Sequence, residues 1–484
     1  MKKNVLIAAL TLAAVAAASV SGCGTPPPPK IIVVGLDGLT WNFLGPLMRD
    51  HRLPNIEGVL RGAASGELVT FRPTKSGILW TSIATGKTME KHGITDWTFV
   101  DREAREEIER LRVVTGTRRT AATIWEILSE KGRSVSVVNW WVTYPAKPLH
   151  GVLITDRLRE VIDNTAVPEE PNVVYPPSLV EDLRPFFLDQ PGAVRAMQKF
   201  GFPLFTQTQA DEMFSTSKPS RGLYAALESY VAQDQMVANW ALHLLGRGQP
   251  DFFAVILRIT DVYAHFGWRF ADRATLERIA PQIEVESLTN KDPAVRDRAL
   301  RLVEELDPAV ATAMLPAYTF ADDFVGAIVS RMDPNSILLI VSDHGFMWSG
   351  GGYNHNPSAG SRGKYPRTSP PGVIILKGQG IRSVRIEGAK LFDITPTILY
   401  ALHEPVARDM DGRALKEAFR EPLLFGKREE RFVPTYGTGA RQVEAPSPSR
   451  AAEKEALEDL RSLGYIDEPA PPGPRASPRP IRKH

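Results

Sequence analysis

Residues 338–346 read LLIVSDHGF. With Ile337 in front, the run through Val341 is continuously apolar rather than alternating, which is the pattern of a parallel strand buried on both faces. Gly345 permits a sharp exit, so Asp343 and His344 stand side by side at the carboxyl end of that strand. In an open α/β sheet this is the edge where loops converge on a crevice and ligands bind. Alone, the pair reads as a helix-capping Asp and a hydrogen-bonded His at a strand end. Its company changes that reading.

The same pattern recurs. IIVVGLDGL (31–39) and DFFAVILRITD (251–261) are further buried runs that end in an Asp, and GVIILKG (372–378) is a fourth run. Helical patterns at PNIEGVLRGA (54–63) and TAATIWEILSEKG (120–132) alternate with these, and SVSVVNW (134–140) returns as strand. Strands alternating with helices predict an α/β fold, a mostly parallel sheet with helices on both faces. Asp37, Asp261 and Asp343 then meet at one edge. Three carboxylates in one crevice repel each other and raise their own pKa values, so a folded chain needs cations there. His265 follows Asp261 at four residues, on the same face if TDVYAHFGW is helical, and His344 adjoins Asp343. His355 lies in the Gly-rich loop SGGGYNHNP (349–357). Three Asp and three His make two sets of mixed N/O ligands, which suit zinc with positions left open for water and substrate.

Those residues resemble the alkaline phosphatase superfamily, and within it the type I phosphodiesterase and nucleotide pyrophosphatase branch, from Ile31 to about Leu415. The resemblance implies an alkaline phosphatase-like core and two Zn(II) ions, other divalent metals being the alternative. It assigns Asp37, Asp343 and His344 to one ion and Asp261, His265 and His355 to the other. FDITPTILYAL (392–402) and MDGRAL (410–415) agree with later family segments. The family places a Ser or Thr nucleophile ahead of a helix that ends in Thr-Gly and is followed by His-Gly-Ile. Here PTKSGILWTSIATGKTMEKHGITDW (73–97) puts Ser76 at that position, with Thr74 as the competitor. A hydroxyl at a helix N-terminus meets the positive end of the dipole, and a neighbouring zinc lowers its pKa further. The alternative role for Ser76 is a plain N-cap. Two departures stand out. Trp80 occupies a place where nucleotide-cleaving relatives usually show His, and Thr95, Asp96 and Trp97 follow His-Gly-Ile where diesterases commonly carry an Asn.

The chain has 484 residues, 43% hydrophobic and 24% charged, with a formal charge of +2, so nothing points to a nucleic-acid surface. Lys2 and Lys3 precede the apolar run VLIAALTLAAVAAASV, which ends in Ser21-Gly22 before Cys23, the only cysteine. That is an export signal, and it resembles that of a bacterial lipoprotein, cleaved before Cys23 and lipidated there. The expectation is an exported protein anchored in the cell envelope through Cys23; Gly24 at the next position favours the outer membrane facing the periplasm. The expected organisation is a signal at 1–22, a Pro-rich linker at 23–30 and a catalytic domain at 31–425, with cap insertions at about 157–235 and 266–316. A linker and helix at 441–467 and a disordered tail at 468–484 complete it.

The expected function is metal-dependent hydrolysis of small phosphate esters, of phosphodiesterase or nucleotide pyrophosphatase type, with Ser76 as nucleophile. The alternatives are a phosphomonoesterase or phosphotransferase acting on envelope lipid or glycan head groups and, from another class, a non-catalytic binding lipoprotein. Sulfatase chemistry needs a C/S-x-P-x-R motif, and Ser76 is followed by Gly-Ile-Leu-Trp instead. Lys75, Arg362 and Lys364 are basic loop residues available to phosphate or simply solvated.

Overall fold

The long aliphatic runs pair with one another. The computed structural model describes residues 28–100, 111–158, 172–204, 208–209, 226–286, 292–348, 352–355, 369–420, 431–437 and single positions between 453 and 461. The signal, Cys23 and most of the C-terminal segment lie outside these residues. In chain order the strands are β1 (Lys30–Leu36), β2 (Ala64–Val69), a separate hairpin β3 (Thr98–Val100) and β4 (Leu111–Val113), β5 (Val135–Trp140), β6 (Gly151–Thr155), β7 (Val174–Tyr175), β8 (Phe252–Leu257) and β9 (Ser336–Val341). A ribbon of β10 (Met347–Trp348) and β11 (Tyr353–Asn354) then precedes β12 (Gly372–Gly378) and β13 (Val384–Lys390).

Nine of these form one sheet in the order β13-β2-β12-β9-β1-β8-β5-β6-β7. The pairs around β1 are parallel, as is β5 with β6 and with β8, while β12 runs antiparallel to both β9 and β2. The sheet is therefore mixed and mostly parallel, the α/β class expected from alternating strands and helices. The run 372–378 is a buried strand as read, but its direction is reversed: a continuous apolar pattern reports burial, not polarity.

Alternate residues of the central strands face two cores. Ile32, Val34 and Leu36 of β1 enter one, and Ile31 and Val33 the other. Among the helices that cover the two faces are α1 (Trp41–Arg49), α2 (Pro54–Leu60), α3 (Ser76–Thr85), α4 (Ile124–Glu130), α5 (Leu227–Gly246), α6 (Ile259–Gly267) and α7 (Pro293–Val329), with α8 (Ile394–Ala401) after the sheet. The helix α4 starts where its sequence carries a capping box, Thr123 and Glu126 bonding reciprocally. The stretches read as cap insertions contain helices that share the main core. Residues 293–316 are the leading part of the 37-residue α7, and its Ala299, Val303, Leu306 and Val310 join the cluster that includes Ile32 and Leu36. Among the described residues no helix is long and apolar enough to cross a membrane.

Register positions the functional edge. Gly35 pairs with Val341, and Leu36 with Leu257. Asp37 thus lies level with Asp343, and both stand beside the start of α6, which carries Asp261.

Candidate active site

The six predicted ligands converge at that edge. Ligand atoms of Asp37, Asp343 and His344 all lie within 4.8 Å of one another, and so do those of Asp261, His265 and His355. The two sets adjoin: the rings of His344 and His355 stack at 4.2 Å and 20°, and His265 meets His355 edge-on at 4.9 Å. From its Nε2, His344 lies 3.5 Å from Asp37 Oδ1, 3.6 Å from Asp261 Oδ1 and 3.6 Å from Asp343 Oδ2. His265 Nε2 stands 3.6 Å from Asp261 Oδ2, because the helical turn of α6 brings residues four apart together. Phe346 closes the apolar side, its ring touching all three imidazoles.

Gly38 makes the close approach possible. Its φ of +71° turns the chain after β1, and a Cβ there would meet Asp261 at 2.9 Å. Gly35 serves a second contact: a Cβ on it would strike the Trp80 ring at 2.7 Å. That ring reaches past β1 to the site, where Trp80 Nε1 donates to Asp37 Oδ2 at 3.1 Å. The departure at position 80 therefore has a structural role, as a hydrogen-bond donor to a predicted ligand.

Ser76 is the first residue of the ten-residue α3; Lys75 precedes it in extended conformation, with no side chain capping the helix. Its hydroxyl is buried and donates to Asp37 Oδ1 at 3.4 Å. Thr74 is buried too, but its hydroxyl is engaged with that of Ser369. Lys75 forms an ion pair with Asp96 at the rim, and Asp96 also accepts from the Trp97 backbone N–H at 2.6 Å. Arg362 and Lys364 lie outside the described residues. His92 of His-Gly-Ile is fully buried; its Nδ1 accepts from the Ile94 N–H at 3.2 Å and its Nε2 faces Ser82 Oγ at 3.0 Å. It braces α3 from behind.

Residues 31–379, well over half of the chain, match the model of the family described as Type I phosphodiesterase / nucleotide pyrophosphatase. The chain belongs to that family. This phosphodiesterase-family protein is a phosphoric ester hydrolase, and the superfamily's dependence on metal gives the clustered Asp and His side chains their context. Several solved structures are similar to it in fold. One is a protein in complex with its substrate D-glucosamine-2-N,6-O-disulfate, 12% identical, covering 85% of this chain and 82% of that one at a TM-score of 0.41. A phosphonate monoester hydrolase from Silicibacter pomeroyi is 14% identical over 80% of this chain and 76% of that one, at 0.41. Phosphonoacetate hydrolase from Sinorhizobium meliloti with phosphonoformate is 14% identical over 66% of this chain and 57% of that one, at 0.32. No curated protein matches the chain in sequence.

The phosphodiesterase-family site has the electrostatics of a cation site. Burial, then the nearby Asp261, raises the Asp37 carboxyl to about 7. Burial and Asp37 push Asp343 well above the usual carboxylate range. Burial also pushes Asp261 up, but the surrounding His265, His344 and His355 outweigh it and hold that carboxyl below its ordinary value. Burial lowers His344 to about 4 and pushes His355 well below the usual imidazole range, which favours neutral rings that offer lone pairs. Asp343 Oδ2 and His344 Nε2 are buried with no hydrogen-bond partner among the described residues. The other nitrogen of His344, Nδ1, faces the Gly345 carbonyl at 3.4 Å, which turns Nε2 inward. A tetrahedral ion bound at about 2.1 Å holds its ligand atoms roughly 3.4 Å apart. The separations of 3.5 and 3.6 Å from His344 Nε2 to Asp37 Oδ1 and Asp343 Oδ2 fit such an ion.

Sequence reasoning missed two contributors. Trp141 Nε1 donates to Asp37 Oδ2 at 3.0 Å, joining Trp80 on the same oxygen. Asp156 accepts from the backbone N–H groups of Val142, Thr143 and Tyr144 at 2.8, 3.2 and 3.1 Å. Both follow the carboxyl ends of sheet strands, β5 and β6, the signal that located the other acids.

Proposed function

We propose that this chain hydrolyses small phosphate esters with Ser76 as the covalent nucleophile. Two divalent ions, zinc best matching the donors, would be held by Asp37, Asp343 and His344 and by Asp261, His265 and His355. When bound they supply positive charge for the phosphoryl oxygens and lower the pKa of a nearby hydroxyl. The observation that carries this reading is the Ser76 hydroxyl, buried at a helix N-terminus and donating to Asp37 Oδ1, a member of the first set.

Ser76 Oγ attacks phosphorus in line, forming the Oγ–P bond as the bond to the leaving alcohol breaks; the proton that Oγ gives up ends on the departing oxygen. The dipole of α3 favours the developing negative charge at Oγ. In the second step water attacks phosphorus, the Oγ–P bond breaks, one proton of the water returns to Oγ, and phosphate, or the phosphate monoester where the substrate was a diester, leaves. The engagement of Thr74 with Ser369 disfavours Thr74 as the nucleophile.

A second reading, a phosphomonoesterase or phosphotransferase acting on envelope lipid or glycan head groups, is favoured by one feature. After His-Gly-Ile the chain presents Asp96, tied to Lys75, and Trp97, packed at 4.9 Å on Trp141, where no neutral amide is offered to a diester. Cys23 as a lipid anchor in the outer membrane belongs to the same proposal: Cys23→Ala should move the protein from the membrane to the soluble fraction, and unchanged fractionation refutes anchoring there. Turnover of nitrophenyl phosphate mono- and diesters by the signal-free protein, with and without zinc, separates the two readings. Phosphate on the Ser76 peptide after acid quench supports the nucleophile, and its absence together with a normal rate in Ser76→Ala refutes it.

A further inference from the structure

The segment Asn139–Tyr144, NWWVTY, is bent in a way that its side chains do not favour. Asn139 and Val142 have φ of +58° and +61°, the left-handed region, which a β-branched residue rarely adopts. The β5–β6 ladder also slips register between Val138 and Trp140. Hydrogen bonds hold this conformation in place. The Asp156 carboxylate accepts three consecutive backbone N–H groups, those of residues 142 to 144. Asn139 Nδ2 donates to the Ile256 carbonyl at 2.9 Å. Strain that the surroundings over-determine in this way is found where a side chain must be aimed.

The side chain aimed here is Trp141. Its indole N–H meets Asp37 Oδ2 at 3.0 Å, and that of Trp80 meets the same oxygen at 3.1 Å. Asp37 Oδ1 faces the opposite way, to Ser76 Oγ at 3.4 Å and His344 Nε2 at 3.5 Å. The two oxygens of one carboxylate are thereby divided between tasks. The geometry points to Trp141 and Trp80 as positioning residues that engage Asp37 Oδ2 and so leave only Oδ1 for a bound metal, with the Asp156-stapled turn fixing Trp141 in that role. This rests on the metal reading of the site and goes beyond it. An aspartate that lends both oxygens to one ion fills a coordination position needed by substrate, whereas one held by N–H donors on its outer oxygen leaves that position open.

The test uses the signal-free protein loaded with cobalt(II), whose visible absorption reports coordination number. Trp141→Phe keeps an aromatic ring and removes the donor. Its expected behaviour is uptake of as much cobalt as the parent, a weaker and shifted visible band as Asp37 gains a second contact to the ion, and kcat lower by about 10- to 100-fold at little-changed KM. Asp156→Asn, which leaves Trp141 in place and loosens its turn, should shift the band in the same direction. Trp140→Phe is the control for packing, since that indole donates to the Trp80 carbonyl and not to Asp37; its band should match the parent. Parent-like spectra and kcat in both Trp141→Phe and Asp156→Asn overturn the assignment while leaving the metal site standing. A parent protein that takes up no cobalt overturns the metal site and this inference together.

Discussion

His92 offers a pH-dependent test of how α3 is braced. Burial, and then the nearby Arg119 charge, lowers its pKa from 6.5 to about 3. Its Nδ1 accepts from the Ile94 N–H, so the folded protein holds the neutral ring. The sign follows from linkage. Between about pH 3 and 6.5 the unfolded chain binds the proton that the folded chain refuses, so this residue makes stability rise with pH and fall as pH drops below 6.5. At pH 5 the unfolded imidazole has gained about 1.5 units of protonation free energy, or about 2 kcal/mol, relative to pH 7.5, where the contribution is close to zero. His92→Asn keeps an acceptor near the Ile94 N–H and does not titrate. Urea unfolding of parent and variant at both pH values isolates the effect, because Asp37 and His344, which also titrate in this range, are common to both proteins. The parent should be the more stable at pH 7.5, and its advantage should shrink by about 2 kcal/mol at pH 5. An advantage that is the same at the two pH values refutes a buried neutral His92.

Ser76→Ala should retain its metal by elemental analysis while losing several orders of magnitude in kcat, whereas Thr74→Ala, whose hydroxyl is turned to Ser369, should lose far less. Chelation should abolish turnover and lower Tm, since it leaves Asp37 and Asp343 buried and close with no cation between them, and added zinc should restore both; an unchanged Tm would count against metal in these clusters. Glu126 is buried between Arg119 at 2.8 Å and Lys147 at 3.2 Å, which, against the burial that raises it, hold its carboxyl down at about 2. Glu126→Ala should therefore cost about 3–5 kcal/mol in chemical denaturation by stranding two cations, with kcat of the folded fraction preserved.

The sequence by itself determined the strands, their burial and the edge at which chemistry collects. Continuous aliphatic runs can satisfy water on neither face, so they must be interior strands, and a charged residue placed after such a run has only the sheet edge to occupy. That logic located Asp37, Asp261, Asp343 and the adjoining His344, and the four-residue spacing added His265; His355, in a Gly-rich loop, and Ser76 were singled out by the resemblance to the family rather than by the strand pattern. What the tertiary structure decided are contacts between residues with no local relation. Trp141 and Asp37 are separated by 104 positions, and Thr74 and Ser369 by 295. A tryptophan that packs and a tryptophan that donates to a buried carboxylate look alike in sequence, because the difference lies in where another strand ends. The reversed direction of β12 and the single long α7 were hidden for a similar reason. Strand polarity is set by the connection and the neighbour rather than by the pattern of the strand, and α7 runs on through Pro308 and Pro316, residues that disfavour a helix interior, because its buried side chains pack along its length.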